Sequence, residues 1–124
     1  SDVYKRQIYG DGTSQRDYTN IKDVVKGMLA AIRFIGENNS IMEIINIGNG
    51  NPIRLNTLIK LLEKELQISA KVNYIDSKKA EMQYTGANIS KAKSILSYNP
   101  DIEFKSGVHD FIHWFKENRS SYGF

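Results

Sequence analysis

The chain has 124 residues, enough to bury one hydrophobic core, and its 40% apolar and 25% charged residues are the balance of a folded domain, not of a disordered segment. Seventeen basic against fourteen acidic side chains leave a formal charge of +3, and the basic ones are scattered instead of massed, which argues against a nucleic-acid partner. Without cysteine there is no disulfide framework or thiolate metal site, and without a long apolar run there is no membrane span or signal peptide, so a soluble cytoplasmic protein is the expectation.

Residues 1–7 are polar and aperiodic and are left unassigned, as a stretch that need not be native. Ile8-Tyr9-Gly10-Asp11-Gly12 reads as a strand end entering a turn, because glycine and aspartate tolerate positive φ, and 15–19 reads as a short strand. Over 21–38, Val24, Val25, Met28, Leu29, Ile32 and Ile35 recur at helical steps and predict an inward apolar face, with Asn20 as the cap and Gly36, Asn38 and Asn39 as the stop. The β-branched run at 42–47 predicts a buried strand running into the loop Gly48-Asn49-Gly50-Asn51-Pro52. A second amphipathic helix follows, carrying Leu55, Leu58, Ile59, Leu61, Leu62 and Leu66, then a strand at 71–75. Ser90 is the expected cap of a short helix over 91–96 that Asn99-Pro100 closes. A last helix over 104–118 points Val108, Phe111, Ile112 and Phe115 inward, with Trp114 beside them, and 119–124 is a tail. The alternation of strands and helices predicts an α/β fold.

Two places carry polar chemistry. The glycine turn at 10–12 delivers Arg16, whose planar fork of donors suits phosphate oxygens; an ordinary surface ion pair with Asp17 or Asp23 is the alternative. The strand, glycine loop and helix over 44–58 set Asn46 at a strand end below loop N–H groups and a helix terminus that a phosphate could use, or else form a mere connection, since Gly48-Asn49-Gly50 is too short for a dinucleotide fingerprint. His109 and His113 stand one helical turn apart, but the chain offers no further histidine or cysteine, and the neighbouring apolar residues assign that helix to packing instead of metal.

Six stretches occur in a telling order: Ile8-Tyr9-Gly10-Asp11-Gly12, Arg16-Asp17-Tyr18-Thr19, Asp23-Val24-Val25, Ile45-Asn46-Ile47-Gly48-Asn49-Gly50, Asn88-Ile89-Ser90-Lys91-Ala92 and Tyr98-Asn99-Pro100. Together they resemble the C-terminal half of the NAD-dependent epimerase/dehydratase family of extended short-chain dehydrogenases, which act on nucleotide sugars. The resemblance implies the C-terminal portion of a Rossmann-type fold, part of the sheet plus the small substrate-binding subdomain, over 8–118. It implies that Tyr9 lies at the nucleobase, that Arg16 and Asn46 face the diphosphate, that Lys78 holds a phosphate-contacting position and that Glu81 holds one for the ribose hydroxyls. The substrate would be a UDP-sugar or a related nucleotide sugar.

The family's glycine-rich NAD site and its catalytic Tyr and Lys pair do not lie in these residues. The resemblance therefore implies NAD in an intact homodimeric parent with a Rossmann half ahead of this chain, and neither cofactor nor turnover in the chain alone. The intact protein would be a sugar 4-epimerase or, alternatively, a 4,6-dehydratase. A module that binds nucleotides or a partner without chemistry is the rival class.

Overall fold

The computed structural model describes residues 6–76 and 82–122. Lys78 and Glu81 lie outside the described residues. In chain order the elements are β1 (Arg6–Tyr9), β2 (Gln15–Arg16), α1 (Ile21–Glu37), β3 (Ile53–Arg54), α2 (Leu55–Leu66), β4 (Val72–Ile75), α3 (Ser90–Leu96) and α4 (Phe104–Asn118), closing on a 3-10 turn, Arg119–Tyr122.

β1 runs parallel to β4, with Arg6 opposite Val72 and Tyr9 opposite Ile75, so Arg6 and Gln7 of the unassigned opening stretch belong to the strand whose end was expected at Ile8-Tyr9. β2 runs antiparallel to β3, with Arg16 opposite Ile53. On the other side of β2, Gln15 donates its N–H to the Gln83 carbonyl at 2.8 Å and accepts from the Thr85 N–H at 3.0 Å. The expected strand at 15–19 is thus confined to Gln15–Arg16, because from Asp17 onward the chain turns its polar groups to other partners.

Helix α1 begins as its sequence dictates, with Asn20 Oδ1 accepting from the Lys22 N–H at 2.9 Å, and it stops at Asn38, whose side chain donates to the Phe34 carbonyl. The face it buries differs from the one expected. Asp23 and Gly27 are buried and Ala30, Ala31 and Phe34 pack on the core, whereas Val25, Met28, Leu29, Ile32 and Ile35 are exposed among the described residues. Small residues won that contact because α1 must approach closely: a Cβ on Gly27 would stand 2.8 Å from Ile47 Cδ1 and 3.2 Å from the Tyr98 ring.

The core gathers around α3, where Ile89, Ala92, Leu96 and Tyr98 are buried under Ala30, Ala31, Phe34, Ile45, Ile47, Ala87 and Ile95. Ile89, not Ser90, is the cap of α3, and the side chain that serves its first turn is Asn88, which accepts from the Ser90 N–H at 3.0 Å. Residues 42–47 form no strand among the described residues; Ile45 and Ile47 reach the core while Met42 and Ile44 are exposed. A β-branched run forms a strand only where a neighbour accepts its ladder, and the described residues supply none.

Helix α2 packs on α4. Glu65 of α2 accepts from His109 Nδ1 at 2.9 Å, and Lys116 donates to the Glu65 carbonyl at 3.2 Å. Of the stripe expected inward on α4, Ile112 is buried, but Phe111 is 55% exposed and stacks on Trp114 and Phe115 in a surface aromatic row. No described helix is long and apolar enough to cross a membrane.

Candidate functional site

The turn before Arg16 is welded in place from both ends. Gly10 and Gly12 take φ of 73° and 77°, and Asp11 accepts from the Thr13 N–H at 2.9 Å and from the Thr13 hydroxyl, hydrogen bonds that hold its carboxyl below its ordinary value. The Gly10 N–H reaches the Ile75 carbonyl at 2.9 Å, tying the turn to β4. The N–H groups of Leu55 and Asn56 donate to the Ser14 and Gly12 carbonyls at 2.9 and 3.0 Å, and Asn56 Nδ2 donates to the Asp11 carbonyl at 3.0 Å. The first amides of α2 are therefore taken by the turn, and the helix terminus that was expected to be open to a phosphate is closed at those two positions.

Arg16 is half-buried on β2, with Nη1 donating to the Gln15 carbonyl at 2.8 Å. Among the described residues it makes no ion pair with Asp17 or Asp23. Both carboxylates serve backbone amides instead. Asp17 accepts from the N–H groups of Asn49 at 3.1 Å, Gly50 at 2.9 Å and Ala87 at 3.1 Å, and Thr19 Oγ1 also accepts from Asn49 at 3.1 Å. The loop amides expected to be free above Asn46 are thus occupied by an internal anion, which corrects the second phosphate reading.

Asn46 is exposed and lines an open groove of about 470 Å³ with Asp17, Ile45, Ile47 and residues 85–87. Arg16 is not part of that wall, but it is covalently next to Asp17, which is. Tyr9, 36% exposed at the end of β1, adjoins a separate shallow cavity between Gly10, Asp11 and residues 74–76. A mainly apolar cavity of about 520 Å³ lies elsewhere, between residues 18–21, Leu58 and Leu62 of α2, and the start of α4, and it holds neither Arg16 nor Asn46.

Three residues that the sequence reading did not assign to the site organise these surroundings. Asp17 and Asp23 are two; Asp23, fully buried, accepts from the N–H groups of Asp101 at 3.2 Å and Ile102 at 3.1 Å, and Lys26 joins it to Asp101. Lys26 holds the Asp101 carboxyl below its ordinary value, and Asp101 in turn raises the Lys26 ammonium. The third is Tyr98, whose hydroxyl donates to the Gly48 carbonyl at 2.9 Å; burial, reinforced by Asp23 and Asp17, pushes its ionisation upward. A signal for Asp23 was present in the sequence: it stands at helical steps from Gly27, Ala30 and Ala31, a stripe of small residues that continues to Phe34.

His109 and His113 each stand beside a carboxylate, Glu65 at 2.9 Å and Glu117 at 3.5 Å. Among the described residues no three ligating side chains gather into a metal site. The glycine loop at 48–50 is filled by the Asp17 carboxylate, and a Cβ on Gly48 would come 2.8 Å from its Oδ2.

Two small sheets, one of them parallel, with helices packed on one another and a polar groove at the loop ends make an α/β architecture. The chain belongs to the family described as GDP-mannose 4,6 dehydratase, whose model matches residues 3–111. It is 41% identical over 113 residues to a UDP-glucuronate 4-epimerase of Thermodesulfobacterium geofontis, covering 90% of this chain and 33% of the relative. The UDP-glucuronic acid 4-epimerase of Bacillus cereus, solved with UDP-glucuronic acid and NAD, is 37% identical with a TM-score of 0.75, covering 88% of this chain and 35% of that one. A UDP-glucose 4-epimerase of Thermotoga maritima, solved with UDP-glucose, is 27% identical with a TM-score of 0.80 over 93% of this chain and 36% of that one. The chain spans about a third of the length of the curated relatives it matches first.

Proposed function

We propose that this chain is the nucleotide-sugar-binding part of an NAD-dependent sugar 4-epimerase of the UDP-glucuronate 4-epimerase type. The observation that carries the reading is similarity to such an epimerase across 90% of the chain, with the arginine strand and the asparagine groove both present. In the intact protein, C4 of the sugar is oxidised to a ketone and re-reduced from the opposite face, redox chemistry that the nicotinamide supplies when bound. The residues of this chain bind and orient the substrate: Arg16 and Asn46 at the diphosphate, Tyr9 at the base, with Lys78 and Glu81 at phosphate and ribose. The catalytic pair and the NAD site belong to an amino-terminal half, the intact protein works as a cytoplasmic homodimer, and 8–118 is the substrate-binding portion. Hydride transfer needs both reactants in one site, so this chain by itself has no turnover and binds no NAD.

The test is Arg16→Ala in the intact protein. Loss of a charged hydrogen bond weakens UDP-sugar affinity by about 1.5 to 3 kcal/mol, roughly tenfold or more, in a calorimetric titration; unchanged affinity removes Arg16 from the site. A 4,6-dehydratase is the second reading, favoured by the description of the matching family. Product analysis separates the two, because a 4,6-dehydratase expels the C6 hydroxyl as water together with the C5 proton, and a uronic acid carries a carboxylate at C6 instead. Conversion of UDP-glucuronate to its C4 epimer supports the epimerase.

A further inference from the structure

We infer that Asp17 is a positioning residue for the substrate diphosphate, fixing the strand that bears Arg16 and the segment that bears Asn46 in one geometry. The inference rests on the reading that those two side chains face the phosphates. Three stretches meet on this single carboxylate: its own strand end, the loop at 49–50 and Ala87. The approach admits no side chain at Gly48, where a Cβ would stand 2.5 Å from Ala87 Cβ and 2.8 Å from Asp17 Oδ2. The same loop is held from behind by the Tyr98 hydroxyl on the Gly48 carbonyl and from the side by Thr19.

Converging backbone amides ordinarily receive an anion from solution, but here the anion is covalent and adjoins Arg16. A diphosphate is thereby kept off the glycine loop and left to side chains at the groove rim, Asn46 among them. The carboxylate shares the wall of that groove, but its oxygens are engaged by the loop amides and it acts through those neighbours. Affinity should therefore depend on Asp17 through the placement of those neighbours.

The experiment is a double-mutant cycle in the intact protein, with UDP as the titrant and circular dichroism as the check on folding. Asp17→Asn keeps the shape but turns a donor toward the loop amides. UDP affinity should fall about tenfold in Arg16→Ala, about tenfold in folded Asp17→Asn, and no more than about threefold further when Arg16→Ala is added to Asp17→Asn. Folded Asp17→Asn that binds UDP like the wild type, or effects that multiply in full, overturns the positioning role while leaving Arg16 in the site. If Arg16→Ala binds UDP normally, the site reading and this inference fall together. Should Asp17→Asn fail to fold, Thr19→Val, which removes the second acceptor at Asn49, takes its place in the cycle. A loss of about twofold or more that shrinks in the Arg16→Ala background then supports the inference, and a fully multiplicative or absent loss overturns it.

Discussion

Buried Asp23 shows how much one side chain can hold. Its carboxylate receives the amides that start the segment into α4, and Asn in its place would offer one acceptor and press an NH2 against an N–H. Asp23→Asn should lower stability by roughly 2 to 3 kcal/mol in urea titrations of the intact protein, without moving UDP affinity per folded molecule. Two exposed pairs set the acid limb. Lys26 lowers the Asp101 carboxyl, and the His109 hydrogen bond lowers that of Glu65. A carboxyl depressed by folding stabilises above its unfolded value and loses that contribution as pH falls through the folded value, so melting temperature should decline below about pH 4.5. The Lys26→Met variant, tested by thermal melts across pH, should flatten part of that decline. Asn20 as a cap was legible from residue type and place. The partners of Asp17 and Asp23 were not, because they are main-chain amides of distant segments, to which side-chain patterns are blind.

At the level of elements, periodicity located α1, α2 and α4 closely, since three to four residue spacing depends on the local chain alone. It misjudged which face of α1 turns inward: a helix with a small-residue stripe and a large apolar stripe can bury either, and close approach to Ile47 and Tyr98 decided for the small one. The pairing of β1 with β4 was equally out of reach, as parallel partners far apart in sequence share no local signature. Among connections, the turn before β2 is the most exacting. A methyl at Gly12 would stand 2.0 Å from Asn56 Oδ1, and the residue's φ of 77° disfavours any side chain. Gly12→Ala should cost roughly 2 to 3 kcal/mol in chemical denaturation, adding left-handed strain to loss of the Asn56 bridge, and should weaken UDP binding by disturbing Arg16 further along the same turn and strand.

For the molecule as a whole, the row on α1 and Met42 and Ile44 of the unladdered segment leave many large apolar side chains exposed. Surfaces of that kind invite association. The 124-residue chain by itself should bind a hydrophobic dye and sediment as oligomers, and Met28→Lys with Ile32→Lys should raise its monomer fraction; a wild-type chain that sediments as a clean monomer contradicts this. The fold class was readable at this scale from the alternation of elements, whereas the site depended on contacts that close only in three dimensions. Those contacts also set a timetable. The amides that satisfy Asp17 come from 32 to 70 positions further along, and those of Asp23 from 78 and 79. During synthesis both carboxylates emerge well before these partners, so α1 can coil at once but the groove can assemble only after Ala87 has been made.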